Sequence, residues 1–343
     1  MTFNKINNQR VDWELKFIFF LGLLLILLAA FKTPGVDADS MTYIGDVFTP
    51  VSQMSLLNKE PMFWFIVLIN QWVFSASYTG FFFIYALLGV GVKIYAINEI
   101  LPNRVFFPFL VYCFIFYLVH EFTQIRGGVA IGLFLLSLKY VYHNNPQKFF
   151  FINAIAIMFH YSALIALPVY FMSGKKINVK FYSLLPFLGI LFAIFLHFLD
   201  LADKASLIKY FSDHLPSQIG FKLSLYASLL TENTQSEINL FNFFYLSIIC
   251  FYYFSLWNLN KISKHSEFIF ISLKLTGVMI FCFYFFSFFP VMAYRLSEFY
   301  GISLVILLPS LAFAFRQVFI AKVFIFFWLL LYFIFGQFAT LNL

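Results

Sequence analysis

The segment from Gln124 to Ala130 has the residue pattern best suited to chemistry in this sequence. It reads Gln-Ile-Arg-Gly-Gly-Val-Ala, so Arg126 stands at the mouth of an apolar segment, directly ahead of two glycines. A guanidinium stays charged and its forked nitrogens match the oxygens of a phosphate, while glycine lets a ligand approach the backbone. We therefore predict that Arg126 binds a diphosphate and that Gln124 contacts the substrate. The alternative is an ion pair with Glu121 that only fixes helix packing.

A second arginine has similar surroundings later in the chain. Arg295 lies in the run Tyr-Arg-Leu-Ser-Glu-Phe-Tyr that ends at Tyr300, with polar groups on its own helical turn. An arginine within or at the edge of a membrane segment is a functional-site hypothesis by default. Arg295 is therefore a second candidate for diphosphate binding, and Glu298 and Tyr300 are candidates for substrate binding. An ion pair between Arg295 and Glu298 is the structural alternative.

His160 is the histidine with the strongest case for catalysis. It lies in the run Phe-His-Tyr-Ser-Ala, at a point where an apolar stretch is expected to break. A neutral imidazole can take a proton from a sugar hydroxyl near neutral pH, and Tyr161 beside it is a candidate for substrate binding. The alternative is a hydrogen-bonded histidine in the protein core.

Acidic residues follow the first apolar run and precede the second. Asp37, Asp39 and Tyr43 could bind sugar hydroxyls or lie in a solvated loop, and Asp39 is also a candidate general base. Glu60 is a rival base, although a carboxylate at a helix N-terminus is also favoured electrostatically. Pro61 directly after Glu60 fits the first turn of a helix.

Neither a metal nor a cofactor is predicted. The two aspartates Asp37 and Asp39 could ligate a divalent cation, but no further carboxylate has the spacing that completes a loop site. The sequence has no glycine-rich nucleotide motif. Its three cysteines are isolated in apolar segments and are predicted to be small buried hydrophobic residues.

The composition places all these residues in a membrane protein. Of the 343 residues 62% are hydrophobic and 11% are charged, with 54 Phe and 20 Tyr, which excludes a water-soluble globular domain. Apolar runs of about 18 residues or more recur along the chain and predict membrane-spanning helices. The net charge of +7 lies mostly in short loops, so it indicates a positive-inside topology rather than nucleic-acid binding.

Loop charges predict the topology, with one conflict. Basic residues before the first span at about 17 to 32 place the N-terminus in the cytoplasm, and the polar segment 200 to 238 is predicted to be a large external loop. The stretch at about 149 to 172 has basic residues on both flanks, which predicts a hairpin or re-entrant pair that turns near His160. Full crossings at both 62 to 76 and 80 to 98 would place Arg126 inside, against the later loop charges. Either one element of the first half is therefore re-entrant, or one loop violates the charge rule.

Taken in order, these motifs resemble those of the EpsG group of Wzy-like polysaccharide polymerases. The resemblance rests on Asp39 with Tyr43, on Glu60 with Pro61, and on the runs around Arg126, His160 and Arg295, and it covers most of the chain. It implies one all-α integral membrane domain over residues 1 to 343, with about 10 to 12 transmembrane helices and an architecture like that of GT-C-type polymerases and ligases. It also implies the inner membrane of a bacterium, with the active site facing the periplasm.

The resemblance implies a glycosyltransferase that joins undecaprenyl-diphosphate-linked repeat units of O-antigen, capsule or exopolysaccharide. The expected partners are these lipid-linked units, membrane lipid and a chain-length regulator, without nucleic acid. Two alternatives stay open. A flippase for lipid-linked oligosaccharides also needs arginines and a cavity, and a polyprenyl-phosphate-sugar glycosyltransferase would have an acidic motif after its first span, as Asp37 and Asp39 permit.

Overall fold

The computed structural model describes residues 2–37, 39–54, 59–102, 104–198, 206, 209–210, 212–214 and 238–337, with side chains from residue 13 onward except at position 51. The chain is 80% helical, and its described part contains no strand. The predicted all-α fold is therefore confirmed. The predicted external loop at 200 to 238 lies almost entirely outside the described residues.

The chain groups into two compact units, each described here by itself. Unit 1 comprises Met1–Lys176, Asn258–Ser272 and Ile302–Leu343, and unit 2 comprises Ile177–Trp257 and Leu273–Gly301. The α-helices up to residue 197 are α1 (Thr2–Ala30), α2 (Ser40–Val47), α3 (Pro61–Phe74), α4 (Tyr78–Ile100), α5 (Phe106–Ile115), α6 (Ile125–Tyr142), α7 (Pro146–Phe159) and α8 (Val179–His197). The later α-helices are α9 (Phe243–Trp257), α10 (Leu259–Ile262), α11 (Ile269–Phe285), α12 (Pro290–Gly301), α13 (Leu304–Leu311) and α14 (Val318–Tyr332). Shorter 3₁₀ or π-helical segments cover Val51–Gln53, Leu118–Thr123, Tyr161–Phe171, Ala312–Ala314 and Phe333–Gln337. The prediction of one single membrane domain stays a prediction.

Several helices are long and apolar enough to cross a membrane. Five meet this description among the described residues, and a sixth does if Pro290–Gly301 and Leu304–Ala314 count as one span. The five are Trp13–Ala30, Tyr78–Ile100, Ile125–Tyr142, Val179–His197 and Val318–Gln337. The predicted count of about 10 to 12 spans would also require shorter apolar helices of 10 to 17 residues to cross. The chain is a multi-pass membrane protein.

In unit 1, α4 runs antiparallel to α1 and parallel to α6. A methyl group on Gly22 of α1 would meet Val90 and Ile94 of α4, whereas the Lys32 ammonium just after α1 lies 4.3 Å from the ring centre of Phe82. The α6 residue Gly132 would similarly meet Lys93. These contacts place the C-terminus of α1 and the N-termini of α4 and α6 at one end of unit 1, which we call the site end.

The helix α3 lies across the site end instead of running along α4. Its first turn contacts the start of α4, where the rings of Phe63 and Phe81 are 5.7 Å apart. Its last turn contacts the same place, since a methyl group on Gly80 would meet Phe74 at 2.5 Å. A crossing antiparallel to α4 would separate these two contacts by about three helical turns. The predicted full crossing at 62 to 76 is therefore wrong, and α3 is the element of the first half that does not cross.

The predicted break at His160 is confirmed as the turn of a helical hairpin. The helix α7 ends at Phe159, His160 adopts an extended backbone, and a 3₁₀ helix follows over Tyr161–Phe171. The Tyr170 ring lies 5.2 Å from the ring of Phe149, so the end of the 3₁₀ helix packs beside the start of α7. Both limbs therefore begin and end at the same end of unit 1, which removes the conflict between the basic flanks.

The end of unit 1 opposite to the site end carries a group of basic residues. We call it the basic end, and it is defined by Arg104 after α4, His143 after α6, Lys148 on α7, and Lys175 after the hairpin. The last of these lies over the ring of Tyr142, the final residue of α6, at 5.3 Å. Arg126 lies at the other end of the same helix, so α6 separates the two ends.

Unit 2 is held together by aromatic packing and tyrosine hydrogen bonds. The Tyr252 hydroxyl of α9 donates to the carbonyl of Tyr182 in α8, at 2.5 Å. The rings of Phe192 and Phe285 stack at 4.5 Å, which joins α8 to α11. Because a buried hydroxyl costs free energy unless it is hydrogen-bonded, such bonds orient the helices while the apolar faces pack.

Candidate functional site

The Glu60 carboxylate lies at the centre of a cluster at the site end. Its Oε2 accepts a hydrogen bond from Nη1 of Arg126, and its Oε1 lies 2.7 Å from Nδ1 of His160. The backbone N–H of Tyr161 also points to Oε1, at 3.4 Å. One carboxylate, whose side chain is 5% exposed, thus joins the start of α3, the first turn of α6 and the apex of the hairpin. We call Glu60, Arg126 and His160 the Glu60 cluster.

Each member is positioned by its place in a local element. Glu60 is the residue before α3, with extended backbone and Pro61 next to it, so its side chain stands free of the helix. Arg126 is in the first turn of α6, and His160 occupies the extended turn between the two limbs of the hairpin. The site therefore consists of two helix starts and one hairpin turn that meet at one end of the unit.

The contacts of Glu60 define its charge state. Burial by itself would raise its pKa, but the hydrogen bond from His160 and the charge of Arg126 outweigh burial and hold the pKa at about 2, below the ordinary 4.5. Glu60 is therefore ionised across the physiological pH range, and an ionised carboxylate can only accept hydrogen bonds. Nδ1 of His160 must then carry the proton that Glu60 accepts. In the neutral ring the other nitrogen, Nε2, is left as the base.

His160 is open on its other side. Its side chain is 19% exposed, and its Nε2 has no hydrogen-bond partner among the described residues. Gly127 faces the ring, because a methyl group there would lie 3.6 Å from Cδ2 of His160 and 3.7 Å from Oε1 of Gln124. Tyr161, which is 43% exposed, follows directly. The predicted substrate residues Gln124 and Tyr161 thus border the predicted base.

Arg126 lies against two aromatic rings. Its guanidinium carbon is 5.5 Å from the ring centre of Phe63 and 5.7 Å from that of Tyr43. The side chain is 20% exposed, and its buried Nε has no hydrogen-bond partner in the part of the chain that the structure describes. A flat cation against apolar ring faces, with a donor unused, suits the binding of a phosphate oxygen.

Lys59 is a cation of the same site that the sequence analysis missed. Its ammonium lies 4.9 Å from the ring of Phe63 and 5.5 Å from that of Tyr43, the two rings that Arg126 also contacts. It pairs with Asp46 at 2.8 Å, and both side chains are partly exposed. The only signal in the sequence was its position directly before Glu60.

The two aspartates after α1 differ from each other. Asp37 pairs with Lys32 at 2.9 Å, with both side chains 1% exposed, and it also accepts from the backbone N–H of Ser40 at 2.9 Å. Burial lowers the pKa of Lys32, and the Asp37 charge opposes this effect. Lys32 in turn donates to the Phe122 carbonyl, so Asp37 ties the loop to the π-helical segment. Asp39 is half-buried before α2 and makes no side-chain cap. Their predicted roles in catalysis and sugar binding stay predictions.

A second carboxylate cluster lies deeper in unit 1. Glu121 was the predicted alternative partner of Arg126, but its Oε1 pairs with Nζ of Lys93 at 2.5 Å and accepts from the Tyr112 hydroxyl at 3.0 Å. Lys93 also donates to the carbonyl of Gly128 at 2.8 Å. The two charged side chains are 0% and 1% exposed. We call these residues the Lys93 cluster, which fixes the π-helical segment between α4 and the start of α6.

The remaining predicted residues lie on α12 in unit 2. Arg295 is exposed, while Glu298 and Tyr300 are half-buried. Ser297 on the same helix is buried and hydrogen-bonds the Tyr245 hydroxyl at 2.6 Å, which anchors α12 to α9. The prediction that Arg295 and Arg126 bind one diphosphate stays a prediction. No group of three or more His, Cys, Asp or Glu side chains with metal-ligand geometry occurs among the residues that the structure describes.

Comparison with known proteins gives one match. The model of the EpsG family matches residues 15–342, which is nearly the whole chain. No curated protein and no solved structure matches significantly. The chain therefore belongs to the EpsG family, a family associated with Wzy-like polymerases and with polysaccharide biosynthesis.

Proposed function

We propose that this protein is a polysaccharide polymerase that joins repeat units carried on undecaprenyl diphosphate, for O-antigen, capsule or exopolysaccharide. The observation that carries the proposal is that Glu60 binds two side chains at once. One carboxylate oxygen accepts from Arg126, a cation suited to phosphate, and the other contacts His160, a candidate base. Family membership supports a role in polysaccharide synthesis. A glycosyl transfer from a lipid diphosphate needs both of these groups within one site.

In the proposed reaction His160 is the general base. A hydroxyl of the incoming lipid-linked unit attacks the anomeric carbon of the growing glycan, and its proton passes to Nε2 of His160. Glu60 holds the opposite ring nitrogen, which fixes the tautomer and stabilises the imidazolium as it forms. The new glycosidic C–O bond forms while the C–O bond to the diphosphate breaks, as in a direct displacement.

Arg126 has the complementary task at the leaving group. Charge builds up on the bridging diphosphate oxygen as its bond to the sugar breaks, and a cation already in place stabilises that charge. Lys59 is the second cation beside the same rings and adds to the positive field. Arg295 on α12 is proposed as a further ligand of the diphosphate. No metal or nucleotide sugar is required by this scheme.

The distribution of charge supports a periplasmic site in a bacterial inner membrane. The basic end holds Arg104, His143, Lys148 and Lys175, and cations are enriched in cytoplasmic loops. The Glu60 cluster lies at the opposite end of α6. Lipid-linked units that have crossed to the outer leaflet would then reach it directly.

The test is the glycan profile of a strain that lacks the gene and carries one variant at a time. We expect the wild type to restore a ladder of chain lengths, and Arg126→Lys and His160→Gln to give a single repeat unit at normal membrane abundance. Arg316→Lys and His143→Gln are matched controls, because both side chains are exposed and distant from the cluster. A full-length ladder from Arg126→Lys would remove the proposed phosphate role.

The same strain separates the alternatives. A polymerase defect leaves complete single units on the outer leaflet of the membrane. If the deletion strain instead traps complete units on the cytoplasmic leaflet, the protein is a flippase. If it accumulates incomplete units, the protein is a polyprenyl-phosphate-sugar glycosyltransferase. Either result would overturn the polymerase proposal.

A further inference from the structure

A small cavity at the basic end of unit 1 is surrounded by cations that the proposed reaction does not use. Its wall includes Arg104 after α4, His265 and Ser266 before α11, and Lys322 on α14. The cavity has a volume of about 30 Å³, which is room for about one oxygen-sized group. All of these residues belong to unit 1. We call this feature the Arg104 cavity.

Arg104 and Lys322, the two cations of the cavity wall, are held in place by contacts other than ion pairs. Arg104 donates from Nη1 to the carbonyl of His265 at 2.8 Å, and its guanidinium lies 4.7 Å above the ring of Phe313. The Lys322 ammonium lies 5.7 Å from the ring of Phe107. Within the described part of the chain, neither cation has a carboxylate within 4 Å, although Glu14 attracts Lys322 from farther away. The pair therefore presents an excess of positive charge.

A buried hydroxyl in the same wall points to a ligand. Ser266 is 5% exposed, and its Oγ makes no hydrogen bond with any described residue. Leaving a buried donor unsatisfied is costly, so such groups usually have a partner. A group that accepts one hydrogen bond from a hydroxyl and also attracts two cations is an anionic oxygen. Phosphate oxygens meet this requirement, with one oxygen inside the cavity and the others at its exposed rim beside Arg104.

The surroundings favour a phosphate that belongs to a lipid. The cavity lies where α5 begins and α14 has just begun, at the edge of apolar helices that expose aromatic side chains outward. Phe106 is 37% exposed and Phe319 is 78% exposed, which leaves apolar surface for acyl chains next to the cations. Basic pockets between transmembrane helices are known binding places for anionic head groups. A soluble phosphate would gain nothing from these aromatic residues.

We propose that the Arg104 cavity binds the phosphate group of an anionic phospholipid, with Arg104 and Lys322 at the charge and Ser266 donating to one oxygen. The site lies at the opposite end of unit 1 from the Glu60 cluster, so it is a structural lipid site and not the substrate site. It is independent of the proposed polymerase activity, and its test does not use glycan synthesis.

The experiment uses the full-length protein in nanodiscs of phosphatidylcholine with or without phosphatidylglycerol. Thermal unfolding and the lipid retained in native mass spectrometry are measured for the wild type and for the double variant Arg104→Gln with Lys322→Gln. We expect phosphatidylglycerol to raise the melting temperature of the wild type, and the double variant to bind that lipid about 30-fold more weakly, as expected for two lost cations. The control is Lys148→Gln with Lys175→Gln, which removes two exposed cations of the basic end that do not line the cavity.

Two further measurements decide the assignment. Ser266→Ala should weaken retention of phosphatidylglycerol without lowering the melting temperature in pure phosphatidylcholine, because it removes an unsatisfied hydroxyl. Inorganic phosphate added to phosphatidylcholine nanodiscs should give no comparable stabilisation. If the wild type and the double variant retained equal amounts of phosphatidylglycerol, the proposed site would be wrong. It would also be wrong if the control variant lost as much of this lipid as the double variant. Full stabilisation by inorganic phosphate would overturn its assignment to lipid.

Discussion

Unit 1 contains two clusters built from the same chemistry, a glutamate paired with a cation, and both contact the first turn of α6. In the Lys93 cluster the charged side chains are 0% and 1% exposed, and the cation also donates to a backbone carbonyl. In the Glu60 cluster Arg126 and His160 are 20% and 19% exposed, and each keeps a nitrogen without a partner in the described residues. The difference indicates that the first cluster holds the bundle together and the second is available to a ligand.

This comparison also explains how the two clusters depend on each other. Lys93 binds the carbonyl of Gly128, two residues after Arg126, and therefore sets where α6 begins relative to α4. Glu60 reaches Arg126 from the other side, across the site end. A change in the buried cluster should therefore act mainly on folding, and a change in the exposed cluster mainly on catalysis.

The largest effect is expected from breaking the buried pair. Lys93→Met leaves Glu121 charged and buried without its cation, which typically destabilises a protein by about 3–5 kcal/mol. We expect a large loss of membrane abundance and a lower melting temperature in detergent. Adding Glu121→Leu should recover part of the loss, because removing both charges of a buried pair is often nearly neutral. A single variant as stable as the wild type would contradict the structural role.

Substitution of Glu60 is expected to change the free energy of unfolding less than Lys93→Met does, and to affect activity directly. Glu60→Gln keeps the size of the side chain but removes the charge that orients Arg126 and His160, so we expect polymer formation to fall by about 100-fold. Membrane abundance should stay near that of the wild type. Glu99→Gln is the matched control, because Glu99 pairs with Lys139 at a partly exposed position where such a pair contributes little. Normal polymer length in Glu60→Gln would contradict the catalytic role.

The two adjacent glycines give a sharper test of the same contrast. A methyl group on Gly128 would lie 2.4 Å from the backbone oxygen of His120, so Gly128→Ala must displace the π-helical segment at a cost of about 1–3 kcal/mol. At Gly127 the nearest atom would be 3.6 Å away, on His160, which is an ordinary contact. We expect Gly128→Ala to lower the melting temperature and Gly127→Ala to leave it unchanged. Equal melting temperatures would show that the tight contact relaxes freely.

The smallest expected effect is a pH dependence of stability that comes from Glu60. Because the pKa of Glu60 is about 2 in the folded protein and 4.5 ordinarily, its ionised form stabilises the fold fully above pH 4.5. That contribution is lost as the pH falls from 4.5 toward 2. The difference in melting temperature between the wild type and Glu60→Gln should therefore become smaller as the pH falls below about 4.5. A difference that stays unchanged from about pH 5 to about pH 3 would contradict the assigned charge state.

Local features of the sequence predicted more of the fold than of the site. The break at His160 followed from basic residues on both flanks of one apolar stretch, and the hairpin confirms it. The predicted crossing at 62 to 76 failed because hydropathy does not distinguish an apolar helix that crosses a membrane from one that lies across the end of a bundle. The 14-residue length of α3 was the available sign of the second case.

The candidate site could be predicted only as separate residues. Arg126, His160 and Glu60 were each chosen for their type and position, with Glu60 as a rival of His160 for the same role. The contact between Glu60 and His160, across 100 residues of sequence, makes Glu60 a partner of His160 and not a rival to it. Lys59 and Lys93 were missed, because nothing near either residue in the sequence indicates which rings or carboxylate it meets.

The sequence by itself determined that this is a helical membrane protein, because composition and apolar run length depend on the solvent and not on the partners of each side chain. It also located the turn of the hairpin. Only the tertiary structure decided that Glu60 joins Arg126 to His160 while Glu121 joins Lys93. Those pairings depend on which helix ends meet, and the packing of helices distant in sequence decides which ends meet. Periodicity and charge pattern report only on residues that are neighbours along the chain.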